Sequence, residues 1–391
     1  MVFYQNETGG NRRQALGARR AWKGVNRDAI GRPSRSSMGA WRPSPSGFTL
    51  TELLVVITII AILAGLITPA VIGALNNSKR AAITLELQSI QESLELFKTD
   101  NGAYPPNGMA AGTNSMGNSV FPTAQSDLVR MFKKAFPRSA EPPILIQKLV
   151  GTSGIPGTPD MGGYLAGGMT STEALVFWLG GFSKDPQYPI SGPGGPSFSD
   201  AQGDNDGTLE GSDDVLENRN RLYEFDLGRL LPRNAAGTFD DSSGQGRYIE
   251  YQVTMNGVTQ NRRINFWLYA PSGSQLPIAY VDTSRHSPEQ YDPDISGGAG
   301  ANIFALKKLR EGFDTSTTPT RRDITFVEKG KFQVLHPGLD DEWGNFQAFS
   351  ILNASVNDAS AVMVYPTGPF IGEIADTLGS FMTGTLEDAQ E

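Results

Sequence analysis

From Phe48 to Leu75 the chain is apolar at almost every position, and Glu52 is the only ionisable side chain in the run. A helix needs about 20 predominantly apolar residues to cross a bilayer, so 48–75 reads as a transmembrane helix. The pattern then changes rather than ends. Ile83, Leu87, Ile90, Leu94 and Phe97 recur at spacings of 4, 3, 4 and 3. That is one apolar stripe, suited to lying on a globular body, and Glu86, Glu92, Glu95 and Lys98 fall mainly off it. Asp100-Asn101-Gly102 is a stop signal. At about 1.5 Å per residue, a helix over 48–99 would span on the order of 75 Å. Pro69 removes one backbone donor and predicts a bend or local melting there, and Gly65 and Gly73 weaken the helix further.

Beyond residue 100 the elements shorten. Residues 106–123 are rich in Gly, Asn and Ser and read as a loop. Ser126-Asp127 can cap a helix running through Phe136, ended by Pro137. Thr170 and Glu173 have capping-box spacing before Ala174-Leu175-Val176-Phe177-Trp178-Leu179, and Gly180-Gly181 closes that helix. It is apolar enough to be core, or a contact with a neighbouring subunit, rather than a ligand pocket. Residues 183–221, rich in Gly, Pro, Ser and Asp, read as a surface loop. Strands follow. Tyr248 to Val253, a turn at Asn256-Gly257 and a return over Ile264 to Tyr269 make a hairpin with a longer loop. Ile278–Val281, Phe332–Leu335, Phe346–Leu352 and Ala361–Tyr365 are further strands, and Trp267 and Trp343 read as core. No internal repeat is evident. The fold class is α+β, a long N-terminal helix packed on an antiparallel β-sheet.

Charge divides the chain unevenly. Residues 1–47 hold nine Lys/Arg against Glu7 and Asp28, a balance of +7, so −15 lies on the remainder of a chain whose total is −8. Basic residues before an apolar helix stay in the cytoplasm, which puts 101–391 outside the inner membrane as an acidic body. Such a body is a poor partner for nucleic acid. Residues 1–47 are a leader to be left out of fold reasoning, with Met38 an alternative start that would leave a ten-residue leader containing Arg42. The chain has no cysteine, so a body in an oxidising compartment forgoes disulfides.

A carboxylate inside a membrane helix costs a few kcal/mol without a partner and marks a function. An α-amino group on Phe48, created by a cut after Gly47, is the obvious partner. Gly47, Phe48, Glu52 and Pro69, set in this apolar helix, resemble the class III signal of type IV pilins and type II secretion pseudopilins. The resemblance implies that a prepilin peptidase cuts between Gly47 and Phe48 and that the Phe48 amine is methylated. It implies that Glu52 meets the amine of an adjacent subunit, although a pair four residues apart can also close within one protomer. Unwinding around Pro69 is implied as well. Asp100-Asn101-Gly102-Ala103-Tyr104-Pro105 resembles the loop after the first helix of major pseudopilins, where the Tyr-Pro pair packs on the body. Asp340-Asp341-Glu342-Trp343-Gly344-Asn345 resembles their Asp-Pro-Trp-Gly-Asn segment, with Glu342 where proline is expected. The tail beyond it lacks the density of acids that a family calcium loop needs, and the body is enlarged by insertions within 106–330.

The resemblance thus implies a structural subunit, not an enzyme, polymerised from the inner membrane into a periplasmic pseudopilus for type II secretion. Its partners would be other copies of itself, minor pseudopilins, and an assembly platform with its ATPase. Two other readings stand beside it: a type IV pilus or competence-type pilin for adhesion or DNA uptake, and a membrane-tethered binding or enzymatic domain using the same signal. Elsewhere Asp204, Asp206, Glu210, Asp213 and Asp214 form an oxygen-rich, glycine-containing run. It suits calcium, which takes six to eight oxygens, and equally suits a solvated acidic loop, since its spacing is not that of an EF-hand. His286 and His336 are the only histidines. With no cysteine they read as surface or structural residues, and there is no nucleophile elbow or phosphate loop.

Overall fold

The computed structural model describes residues 47–107, 112–113, 119–120, 124–150, 168–196, 219–232, 248–295 and 303–390. The leader up to residue 46, with Met38 and Arg42, lies outside these residues. So do Asp204, Asp206, Glu210, Asp213 and Asp214. The chain divides into two compact units, residues 1–63 and 64–391.

Helix α1 spans Leu50–Asn101 and continues unbroken through Pro69, so the local melting expected there does not occur. Proline removes only one N–H from the ladder, and next to it the Thr68 hydroxyl donates to the Ala64 carbonyl at 2.7 Å. The helix ends where the stop signal sits: Gly102 has φ +73°, a conformation open to glycine at no steric cost, and its N–H reaches the Lys98 carbonyl.

Within residues 64–391, the stripe Ile83, Leu87, Ile90, Leu94 and Phe97 is buried as its spacing predicts. It packs on α4, Ser171–Leu179, all of whose residues are buried. Phe97 meets Trp178 edge-on at 5.6 Å between ring centroids. The capping box forms as expected, with Thr170 N–H on Glu173 Oε2 at 2.9 Å and Glu173 N–H on Thr170 Oγ1 at 3.3 Å. Helix α2, Ala124–Ala135, begins two residues before the expected cap. Asp127 therefore sits inside the first turn, and its carboxylate is engaged by His286 and Arg130 instead of capping. Helix α3, Pro143–Leu149, starts on a proline. The N–H that proline lacks would have had no intrahelical partner at this position.

The β structure is dispersed. Strands β1 (Gly112–Thr113) and β2 (Ser119–Val120) pair, as do β3 (Phe182–Ser183) and β4 (Arg219–Asn220), so the expected 183–221 loop is closed by a short ladder at its base. β5 (Leu230–Pro232) pairs with β8 (Trp267–Tyr269). β6 (Tyr248–Met255) and β7 (Val258–Asn265) form the longest hairpin. β9 (Ala279–Asp282), β12 (Phe332–His336) and β13 (Leu378–Gly379) make a three-stranded antiparallel sheet in the order β13-β12-β9. β10 (Lys307–Leu309) pairs with β11 (Ile324–Phe326). The α+β class holds, but the described residues form several small antiparallel ladders rather than one sheet.

Three strand expectations need correction. The hairpin has no longer loop: Asn256 (φ 51°) and Gly257 (φ 78°) make a tight two-residue turn, the geometry that matches strand twist. The returning strand begins at Val258, hidden in the sequence because its first four residues are exposed and Thr259, Gln260 and Asn261 among them are polar. Phe346–Leu352 is two 3-10 turns, Phe346–Phe349 and Ile351–Asn353. Phe346 and Phe349 are both buried, three apart, which is a helical and not a strand spacing. Ala361–Tyr365 is irregular, and Val362 alone is buried there, in a small cluster with Ile324, Ile351, Ala354 and Ala359. Trp343 is core, whereas Trp267 is only partly buried.

Candidate processing and assembly site

In the first unit the described residues begin with non-helical Gly47, Phe48 and Thr49, all exposed. Phe48 is 83% accessible. The Gly47–Phe48 peptide thus lies in open, non-helical backbone ahead of α1, a form a protease can bind. Thr49 is the residue that caps the helix. Its N–H donates to Glu52 Oε2 at 2.9 Å, its hydroxyl donates to the same oxygen at 2.8 Å, and the Glu52 N–H returns to Thr49 Oγ1 at 3.2 Å. This is a reciprocal capping box. The Thr-x-x-Glu spacing of Thr49 and Glu52 is the sequence signal for this cap, beside the pairing of Glu52 with an amine. The carboxylate reaches back to a backbone nitrogen one residue from the Phe48 nitrogen.

From here α1 is long and apolar enough to cross a membrane. Its apolar residues from Leu50 to Leu75 are exposed. Pro69 lies within the continuous helix, in the second unit.

Further along, α1 is fixed to the body by polar contacts that no local pattern announces. Arg80 pairs with Asp376 at 2.9 Å, and the other oxygen of Asp376 accepts the Leu339 N–H at 2.6 Å. Glu86 pairs with Arg229 at 2.6 Å. The loop after α1 is held as the sequence suggests. Tyr104 is fully buried, and its hydroxyl donates to Glu95 at 2.8 Å. Tyr280 donates to the Pro105 carbonyl at 3.0 Å and Trp178 to the Pro106 carbonyl at 2.9 Å.

The acids of the 340–345 segment build a turn. Asp341 accepts from the Ser274 hydroxyl and the Gln275 N–H, and Asp340 from the Glu342 N–H. Burial raises the Asp340 carboxyl above its usual value. Among the described residues no group of three His, Cys, Asp or Glu is placed to hold a metal ion. His286 Nε2 lies 2.8 Å from Asp127 Oδ2. Burial opposes ionisation of Asp127, but His286 and the Arg285 guanidinium outweigh it and hold the carboxyl below its ordinary value. His336 is fully buried, accepts the Gly338 N–H on Nδ1, and is pushed by burial down to about 4. Both histidines have structural surroundings.

Residues 42–68 match the family described as the prokaryotic N-terminal methylation motif. The segment that holds Gly47, Phe48 and Glu52 is therefore of the prepilin type, the class shared by type IV pilins and pseudopilins. Within that class the chain is similar to type II secretion system core protein G. It is 38% identical to the protein of Klebsiella michiganensis over 64 residues, 16% of this chain and 45% of that one. The Pseudomonas aeruginosa protein is 39% identical over 64 residues, 16% and 45% of the two chains. The Escherichia coli protein is 36% identical over 59 residues, 15% and 41%. The chain spans less than half the length of these relatives. No solved structure matches it.

Proposed function

We propose that this chain is a structural subunit of a pseudopilus serving type II protein secretion. A prepilin peptidase cuts between Gly47 and Phe48 and the new Phe48 amine is methylated. The protomer waits in the inner membrane with its body in the periplasm, and an assembly platform and ATPase draw it into a filament of like subunits. Its work is packing and register, not catalysis.

The observation that carries this reading is the position of Glu52. Its carboxylate lies at the start of an apolar helix and, among the described residues, is held by the N–H and hydroxyl of Thr49. A carboxylate set in an apolar membrane helix is costly without a partner, and a capping contact returns only about 1 kcal/mol. A protonated Phe48 amine on a neighbouring subunit relieves both charges at once, so it outcompetes the cap and fixes the axial register. Methylation leaves that amine able to carry a proton.

N-terminal mass spectrometry of the membrane form tests the proposal. An N-methylated chain beginning at Phe48 is the expected result. A mature population that still carries residues before 48 would overturn it.

A further inference from the structure

Outside the N-terminal segment, one pair of reactive groups stands apart. Lys307 and Asp292 are both completely buried, with Nζ 2.7 Å from Oδ1. Among the described residues Asp292 Oδ1 has no hydrogen-bond donor besides this amine. The other carboxyl oxygen is well held. Oδ2 accepts the Ile351 N–H at 2.8 Å and lies 3.5 Å from the Ser350 hydroxyl. Phe304 and Phe326 flank the amine, with ring centroids 5.8 and 5.7 Å from Nζ. Lys307 Nζ also donates to the Ala305 carbonyl at 3.1 Å.

We propose that Lys307 and Asp292 condense into an intramolecular isopeptide bond. Lys307 Nζ, as the free amine, attacks Asp292 Cγ of the neutral acid. A new Nζ–Cγ bond forms and the Cγ–Oδ1 bond breaks. Oδ1 leaves as water, taking its own proton and one from Nζ, which lies beside it. Oδ2 remains as the amide oxygen. The Ile351 N–H and Ser350 hydroxyl are placed to stabilise the negative charge that builds on Oδ2, as oxyanion donors do. No oxidant or cofactor enters the balance. Burial drives both partners toward their neutral forms, raising the Asp292 carboxyl and lowering the Lys307 amine, against their mutual attraction. Water is excluded and the two groups are held together, so the entropic cost of the encounter is already met by folding. The bond would give a chain without cysteine a cross-link that no reductant can open.

Tryptic mapping of the full-length protein decides the matter. Trypsin cuts after Arg285 and Lys308, and no other Lys or Arg lies between them except Lys307. The cross-link predicts one peptide, 286–308, uncut after Lys307 and lighter than its sequence by one water. Its tandem spectrum should lack backbone fragments from cleavage between 292 and 307. Lys307→Met should restore the sequence mass of this stretch, and Asp292→Asn should give the same product with loss of ammonia. Recovery of 286–307 from the wild type at its unmodified mass, in full yield, overturns the proposal whether or not the variants fold.

Discussion

Glu52 has two roles that one substitution can separate. Glu52→Gln keeps an oxygen able to accept from the Thr49 N–H, now 2.9 Å from Oε2, because glutamine serves the capping box as glutamate does. It removes the charge. The cap of the unassembled helix is then preserved to within a few tenths of a kcal/mol, while on assembly the neighbour's ammonium loses its counter-ion, a cost of up to about 2.5–3.5 kcal/mol, the range for a charge at a helix centre. At 1.4 kcal/mol per tenfold, each subunit contact weakens by up to about a hundredfold. Thr49→Ala is the converse. It weakens a cap of about 1 kcal/mol that the neighbour's amine displaces on assembly, and leaves the charge, so assembly should not fall. The assay is the ratio of sheared filament to membrane-held subunit in cells, with cleavage checked at the N-terminus and the melting of the body as a folding control. Glu52→Gln should be processed and stable but remain in the membrane. Normal filament yield from that variant, or a loss from Thr49→Ala as deep as its own, would show that the charge does not set assembly.

Leu94 is fully buried on the stripe of α1, so Leu94→Ala should destabilise the body by about 2–5 kcal/mol, read as a lower denaturant midpoint at unchanged slope. His336 is pushed down to about 4 in the fold. The unfolded chain binds its proton near 6.5 and the folded chain does not, so this contribution is intact above that pH and is lost as pH falls toward 4, by up to roughly 3 kcal/mol. Urea midpoints at pH 7 and pH 5 should therefore converge in His336→Asn relative to wild type, and an unchanged difference would assign the acid sensitivity elsewhere. A chelator should lower the melting temperature of the body if Asp204, Asp206, Glu210, Asp213 and Asp214 bind calcium, and an identical melt would leave them a solvated acidic run.

Most of what was legible in the sequence was periodic. The five apolar residues of α1, the Thr170–Glu173 box and the end of the helix at Gly102 are each fixed by neighbours within a turn or two, so spacing alone located them. The N-terminal segment was legible through its resemblance to the prepilin signal, and residues 42–68 match the N-terminal methylation motif. Phe346–Leu352 failed because a short apolar run fits strand and helix alike, and only the burial of residues three apart separates the two. The start of β7 failed because an exposed strand face looks like a loop. Arg80 with Asp376 and Asp292 with Lys307 could not be found by any window. Their partners are brought together by the tertiary fold, and a charged residue carries no mark of which distant segment it will face.

The attachment of Pro105 and Pro106 bears on mechanics. Their carbonyls are gripped by Tyr280 on β9 and Trp178 on α4, while the buried Tyr104 donates its hydroxyl to Glu95 of the helix. A pull along α1 is therefore delivered straight into the sheet and the buried helix rather than stretching a slack tether. The junction behaves as a stiff elbow.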